Sequence, residues 1–314
     1  MSKNFFKVIR AGINTTFQDL GRNNLNHIGI PTSGVMDKRN YVICNKILQN
    51  DLNQPVLEFA YQGPRLVYHG NPLNISVSGD VNFKIIKNKK QIEGKCYETI
   101  ILEDGDEIDL ISTNKSVYGY LGLGAEFKIG FSWNSCSINT KANIGSNDGK
   151  KIQDNQKIEI SRIKELSKKK LDHINSKIEN IRVIKGTNFE YFSKESQEKF
   201  FKKEFSVTKL TDRMGMRLQG ERLENSIKTN IKSEGLVKGV IQIPSDGNPI
   251  IMLADHGTIG GYPKIATVIS ADFDKISQLT PGSKIKFKEV NLQDAETIFK
   301  LYEMETNNII SKIL

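Results

Sequence analysis

Cysteine is scarce in this chain of 314 residues, and Cys44, Cys96 and Cys136 stand far apart. Their spacing makes neither a CxxC pair nor a zinc quartet, so no disulfide framework organises the fold. Reduced thiols in a reducing compartment are expected, with the cytoplasm as the location. No apolar run approaches the roughly 20 residues of a membrane span, and the start MSKNFFKVIRAG lacks the apolar stretch of a signal peptide. The four histidines, His27, His69, His173 and His256, stand singly without HxxxH spacing, and no metal is expected. There is no GxxxxGK[ST] loop, no G-x-S-x-G elbow, and no GxGxxG run opening a βαβ unit. Those absences remove the common nucleotide-, hydrolase- and dinucleotide-type signatures. Arginine is also rare, with 9 of the 45 basic residues, and the 36 lysines are scattered. Nucleic-acid binders cluster their cations on one element, so the net charge of +9 reads as a solvated surface. The single tryptophan, Trp133, reads as a core or interface residue rather than a stacking platform.

What is present is a succession of short strands. FFKVIR (5–10) opens the chain, and VLEFAY, RLVYH, LNISVS, NFKIIKN, YETIIL and EIDLIS follow between residues 56 and 112. QGP, GNP, GD, KNKK and EDGDE separate them, a punctuation that argues for sandwiches or barrels. Asp37 is placed to cap a helix over Lys38 to Leu48. VYGYLGLGAEFKIGFSW (117–133) reads as strands brought close to a neighbour, because its glycines admit no side-chain bulk. A first β domain over 1–160, a lysine-rich connector over 161–180 and a second domain over 181–314 are expected. The second restarts with IRVIKGTN, a faint echo of FFKVIRAG, and closes on a helix with Ala295, Ile298, Phe299, Leu301 and Tyr302 on one face.

The stretch from Ser233 to Asp272 carries the densest chemistry. Glu234, Gln242, Asp246, Asp255, His256, Tyr262 and Lys264 stand at strand ends, with Gly257, Gly260 and Gly261 among them. Polar groups in loops on a rigid scaffold are where chemistry collects. Of these, Glu234, Gln242, Asp255 and Lys264 form, with Asp37, Asp212 and Arg213, a set suited to a planar amide, urea or carboxylate. A guanidinium clamps a carboxylate with two prongs, and Lys264 or backbone N–H groups hold an oxyanion. A carboxylate serves as base. Each has a plainer reading as a turn cap or an ion pair, which prevails for Asp246 in the turn SDGN. His256 beside Asp255 reads either as a tuned acid–base pair or as a hydrogen-bonded structural histidine.

AGINTTFQDLGR (11–22), GIPTSGVMD (29–37), LEFAYQGPRL (57–66), TDRMGMRLQG (211–220), SEGLVKGVIQIPSDGNPIIMLAD (233–255) and GGYPKIATVISAD (260–272) together resemble the KipA-type, biotin-dependent carboxyltransferase domain family. That family includes the C-type subunit of 5-oxoprolinase and the carboxyltransferase part of urea amidolyase. The resemblance implies a mainly β fold with short helices, built as two cyclophilin-like β-barrel subdomains. It implies a KipI-type partner (the B-type subunit of 5-oxoprolinase) sharing the active site, and a third, lactam-utilisation-type subunit. With ATP and Mg shared with the partner, these would cleave 5-oxo-L-proline to L-glutamate. Arg213, Lys264, Asp255 and Glu234 are the expected catalytic residues. Asp37, Asp212, Gln242, Gly260, Gly261 and Tyr262 are the expected substrate contacts.

The related urea amidolyase domain moves a carboxyl group from carboxybiotin to urea, and some family members instead sequester a KipI-type kinase inhibitor. No biotin-attachment motif of the MKM kind occurs in this chain, which favours the 5-oxoprolinase branch. Two blocks depart from the family pattern. Gly257-Thr258-Ile259 stand where it has Gln-Thr-Thr, and Thr211 and Met216 stand where it has Ser and Tyr.

Overall fold

In the computed structural model, which describes residues 4–173, 180–227 and 230–314, the first apolar alternation becomes a ladder. Phe6 and Val8 are fully buried while Lys7 between them is exposed, as a strand with one face on a core requires. Strand Asn4–Arg10 runs antiparallel to both Arg65–His69 and Lys157–Ser161. It belongs to a seven-stranded sheet whose order is Glu126–Phe127, Lys157–Ser161, Asn4–Arg10, Arg65–His69, Glu107–Thr113, Val81–Lys87 and Lys90–Glu93. A five-stranded sheet runs Thr15–Gln18, Val56–Ala60, Tyr118–Leu123, Leu73–Ser78 and Ile100–Leu102. Residues of both sheets, among them Phe6, Phe17, Phe59, Phe83 and Leu121, make one core.

Helix Lys38–Ile47 lies against the five-stranded sheet and starts where Asp37 accepts the Asn40 N–H at 2.9 Å. Its approach depends on Gly122, where a Cβ would lie 2.8 Å from Cys44 Sγ and 2.9 Å from Leu48 Cδ1. The glycines of YGYLGL thus serve close packing within a single strand. The loop EDGDE turns as its sequence suggests, with Asp106 N–H donating to Glu103 O and Gly105 at φ 84°.

Contacts sort the chain into two units, one of Met1–Arg22, Ser33–Asn175 and Thr306–Leu314, the other of Asn23–Thr32 and Ser176–Glu305. The second is built on a closed barrel ordered Asn180–Lys185, Lys264–Val268, Val240–Gln242, Ile250–Met252, Gly215–Gln219, Phe205–Thr211 and Lys284–Glu289. All its pairings are antiparallel except the closing one, Asn180–Lys185 with Lys284–Glu289. Alternate residues such as Val183, Val207, Met216, Ile251 and Phe287 are buried along these strands, and helix Lys194–Lys202 adds Phe200, stacked on Phe287.

Two stretches behave differently from their sequence pattern. Residues 161–173, read as an exposed connector, are tied down: Ile163 packs on the first core, and Leu171 is buried with Ile43, Ile47 and Tyr97. Thr99 N–H also donates to Lys169 O at 2.8 Å. The rest of that connector, 174–179, lies outside the described residues. The closing helix Leu292–Ser311 buries none of its residues. Leu301, expected on the packed face, is 57% exposed, while Ile309 and Ile313 pack on the Ile43 cluster. Spacing marks the helix but not how shallowly it sits. Among the described residues no helix is long and apolar enough to cross a membrane.

Candidate functional site

The barrel strand Lys264–Val268 pairs with Val240–Gln242 through an irregular register. Val240 faces Thr267 and Ile241 faces Ala266, but Gln242 faces Lys264. Ile265 is skipped, so the ladder carries a bulge, a device that re-aims a side chain at a sheet rim. Here it sets Lys264 opposite Gln242. Asn188 pins the same place, since Lys264 N–H donates to Asn188 Oδ1 at 3.0 Å and Asn188 N–H donates to Lys264 O at 3.2 Å.

A small two-stranded sheet lies next to this pair, with Glu234 opposite Gly260 and Gly235 opposite Ile259. Lys264 Nζ donates to Glu234 Oε2, and Gln242 Nε2 donates to Tyr262 O at 2.9 Å. Lys264 and Gln242 are buried, whereas the Glu234 side chain is 42% exposed. At Gly260 a Cβ would meet Gln242 Nε2 and Leu236 Cδ1, both at 2.8 Å, so a larger residue there would push the Gln242 amide aside. Glu234, Gln242, Gly260, Tyr262 and Lys264, taken from sequence as parts of one site, are therefore neighbours. Gly261 follows just after the strand, its carbonyl accepting the Ile231 N–H at 2.8 Å. The Tyr262 side chain is partly exposed.

Arg213 and Asp255 form a second, separate ion pair. Arg213 Nε donates to Asp255 Oδ2 at 2.8 Å and Nη2 donates to Oδ1 at 3.1 Å, with both residues buried. This pair lies past Met252, which Gly215 faces, whereas Gln242 faces Ile250. The two ion pairs thus sit beyond opposite ends of strand Ile250–Met252. The Arg213 fork is closed on Asp255, so a substrate clamp by these two nitrogens requires that pair to open. His256 is buried next to it, its Nδ1–H donating to Gly257 O at 2.6 Å. Burial holds its pKa below the ordinary histidine value, because the charged ring loses hydration. Asp212 is a turn residue, its Oδ1 accepting the Met214 and Gly215 N–H groups.

In the first unit, Asp37 is a buried helix cap. Its carboxylate also accepts from Asn40 Nδ2 at 2.7 Å, and its own N–H donates to the Tyr120 hydroxyl at 2.8 Å. That hydroxyl donates to Glu58 Oε2 at 2.9 Å, which takes the Met36 N–H as well at 2.7 Å. Glu58 and Asn188 escaped the sequence reading. Glu58 had one signal, a carboxylate inside the apolar run VLEFAY; Asn188 had none beyond closing a strand. Met216, the departure from the family tyrosine, is buried within the barrel opposite Ile251.

Comparison with known proteins gives concordant matches. The family described as "Carboxyltransferase domain, subdomain A and B" matches residues 28–289. The C-type subunit of 5-oxoprolinase from Haemophilus influenzae is 31% identical over 303 residues, covering 94% of each chain. The urea amidolyase of Lachancea kluyveri is 25% identical over 93% of this chain but only 17% of its own length. The crystal structure of the K. lactis urea amidolyase superposes with a TM-score of 0.88 at 24% identity. It covers all of this chain, which spans about a fifth of that much longer protein.

Proposed function

The chain belongs to the carboxyltransferase-domain family, and from that premise we propose that it is the corresponding subunit of an ATP-dependent 5-oxoprolinase. The greater identity to the Haemophilus subunit than to the yeast amidolyase, with near-complete coverage of both chains, supports the lactam over urea. A KipI-type subunit and a lactam-utilisation-type subunit are its partners in this reading, and the cytoplasm its location.

The observation that carries the chemistry is the convergence of Lys264, Glu234 and Gln242 beside the Gly260–Tyr262 backbone. Lys264, with N–H groups of the Gly260–Gly261 segment, stabilises the oxygen of a lactam carbonyl as it gains charge. Glu234, reachable from solvent, accepts or returns the proton. Gln242 and Tyr262 orient the ring amide. Asp255, held by Arg213, fixes the far end of the same strands, and a substrate carboxylate or phosphate competing for Arg213 would displace it. Asp37 and Asp212 are assigned substrate contacts beyond their local capping bonds.

In this reading ATP would supply a phosphoryl group to activate the amide. The chain has no P-loop, and the described residues hold no cluster of three or more His, Cys, Asp or Glu suited to Mg. These residues alone do not fit ATP–Mg, so the nucleotide site is proposed to depend on the partner. Carboxyl transfer to urea or a related amide is the second reading, favoured by the description of the family itself. Purified protein with both partner subunits, ATP and 5-oxo-L-proline is expected to release ADP and L-glutamate. Silence with that complete set, together with carboxylation of urea from carboxybiotin, would establish the second reading instead.

A further inference from the structure

Trp133, the one tryptophan of the chain, is 52% exposed, and Phe131 two residues earlier is 56% exposed. They occupy a tight hairpin in the first unit. Ser132 N–H donates to Ser135 O at 2.9 Å, and Ser135 N–H donates back to Ser132 O at 3.2 Å. Between them Trp133 and Asn134 have φ of 51° and 59°. Both central residues are left-handed, the geometry of a type I′ turn, which Asn and Gly adopt readily. A bulky aromatic residue does not. Residues held in such conformations at a surface point to a functional constraint.

The base of the hairpin is clamped from within. The fully buried Asp19 carboxylate accepts the Ser135 hydroxyl at 2.6 Å, the Ser137 hydroxyl at 2.7 Å and the Cys136 N–H at 2.7 Å. An aromatic tip on a rigid stem loses little conformational freedom when it docks, the property that makes tryptophan an interface anchor.

We infer that the Phe131–Trp133 tip is the anchor by which this chain engages its KipI-type partner, inserting into an apolar cleft rimmed by acidic residues. The occupant follows from charge. Residues 129–137 (IGFSWNSCS) carry no charge, and the exposed ionic residues nearest them in sequence are Lys128, Lys141, Asp148, Lys150 and Lys151. Lys128 is also 3.7 Å from Glu159. A second copy would bring the same lysines and another net charge of +9 against them. An acidic rim complements both. The inference rests on the 5-oxoprolinase reading for the existence of that partner.

A single tryptophan makes the test direct. With 5-fluorotryptophan incorporated, the chain has one ¹⁹F resonance, followed while the purified KipI-type subunit is titrated in. The resonance is expected to move as the complex forms, and acrylamide quenching of Trp133 to fall severalfold. Trp133→Asn, which suits the turn, is expected to keep or raise the unfolding midpoint yet weaken the complex at least tenfold. A complex on size-exclusion chromatography with an unmoved resonance and unchanged affinity for the variant overturns the anchor and leaves the 5-oxoprolinase reading standing. Absence of any complex removes both. A resonance that moves with this chain's own concentration assigns the tip to self-association and overturns the inference.

Discussion

Lys264 stands opposite Gln242 in the barrel ladder because the bulge after Ile241 leaves Ile265 out of register. That displacement of one residue puts an ammonium group and an amide at one rim, where Glu234 and the Tyr262 carbonyl meet them. Regular pairing would have set Gln242 against Ile265 and Lys264 against the apolar Ile243. The chemistry assigned to this chain begins at that irregularity.

Breaking the other ion pair should act on stability first. Asp255→Ala leaves the buried Arg213 cation without its two-pronged partner, and a loss of about 3–5 kcal/mol is expected on chemical denaturation. Pairing Arg213→Met with Asp255→Leu should cost much less than the two single changes added together. Additive costs would show that Arg213 and Asp255 do not act as a unit.

Asp37 can be separated into cap and contact. Asp37→Ala is expected to cost about 2 kcal/mol, the upper end for a lost N-cap, since the carboxylate is buried. Asp37→Asn keeps a capping oxygen and should stay within about 0.5 kcal/mol of the wild type, as exchanges between good capping residues do. If Asp37 touches substrate, the Asn variant raises KM about tenfold; an unchanged KM restricts Asp37 to the helix.

His256 predicts a pH dependence with a definite sign. Its folded pKa lies below the ordinary value of 6.5, so below that pH the unfolded chain takes up a proton that the folded one refuses. Its contribution is full above pH 6.5 and is lost as the pH falls toward the folded pKa. The midpoint in urea should drop through that window, and His256→Gln should flatten the drop. An identical slope in the variant would assign the acid sensitivity to other groups.

Met216→Tyr restores the family residue but at a position inside the barrel rather than at its rim. Overpacking and a hydroxyl without a ready partner are expected to cost about 1–3 kcal/mol, with no gain in turnover of the assembled enzyme. A variant both stable and faster would place position 216 in contact with the substrate.

The strands were largely legible in the sequence. Alternation of Phe6, Val8 and their neighbours, and turns such as EDGDE, report local geometry that one segment decides by itself. Asp37 was legible as a cap for the same reason. The pairings were not. Lys264 with Glu234 and Arg213 with Asp255 join positions 30 and 42 residues apart, brought together by pairing between strands distant in sequence. Asn188 had no charge to attract notice, although it holds Lys264 by two backbone contacts. Trp133 was readable only as core or interface, because its exposure depends on a type I′ turn that SWNS signals with a single Asn. The closing helix shows the same limit, since spacing marks a helix but not how much of its apolar side finds cover.

The most direct measurement is turnover by the Lys264→Met variant in the fully assembled enzyme, with ADP and L-glutamate both followed. Its side chain is similar in length and uncharged, and the Glu234 left behind is partly exposed, so folding and assembly should persist. A fall in kcat of about a hundredfold to a thousandfold is expected, the range for removing an oxyanion donor. A complex that assembles normally and keeps its kcat would show that Lys264 takes no part in the chemistry.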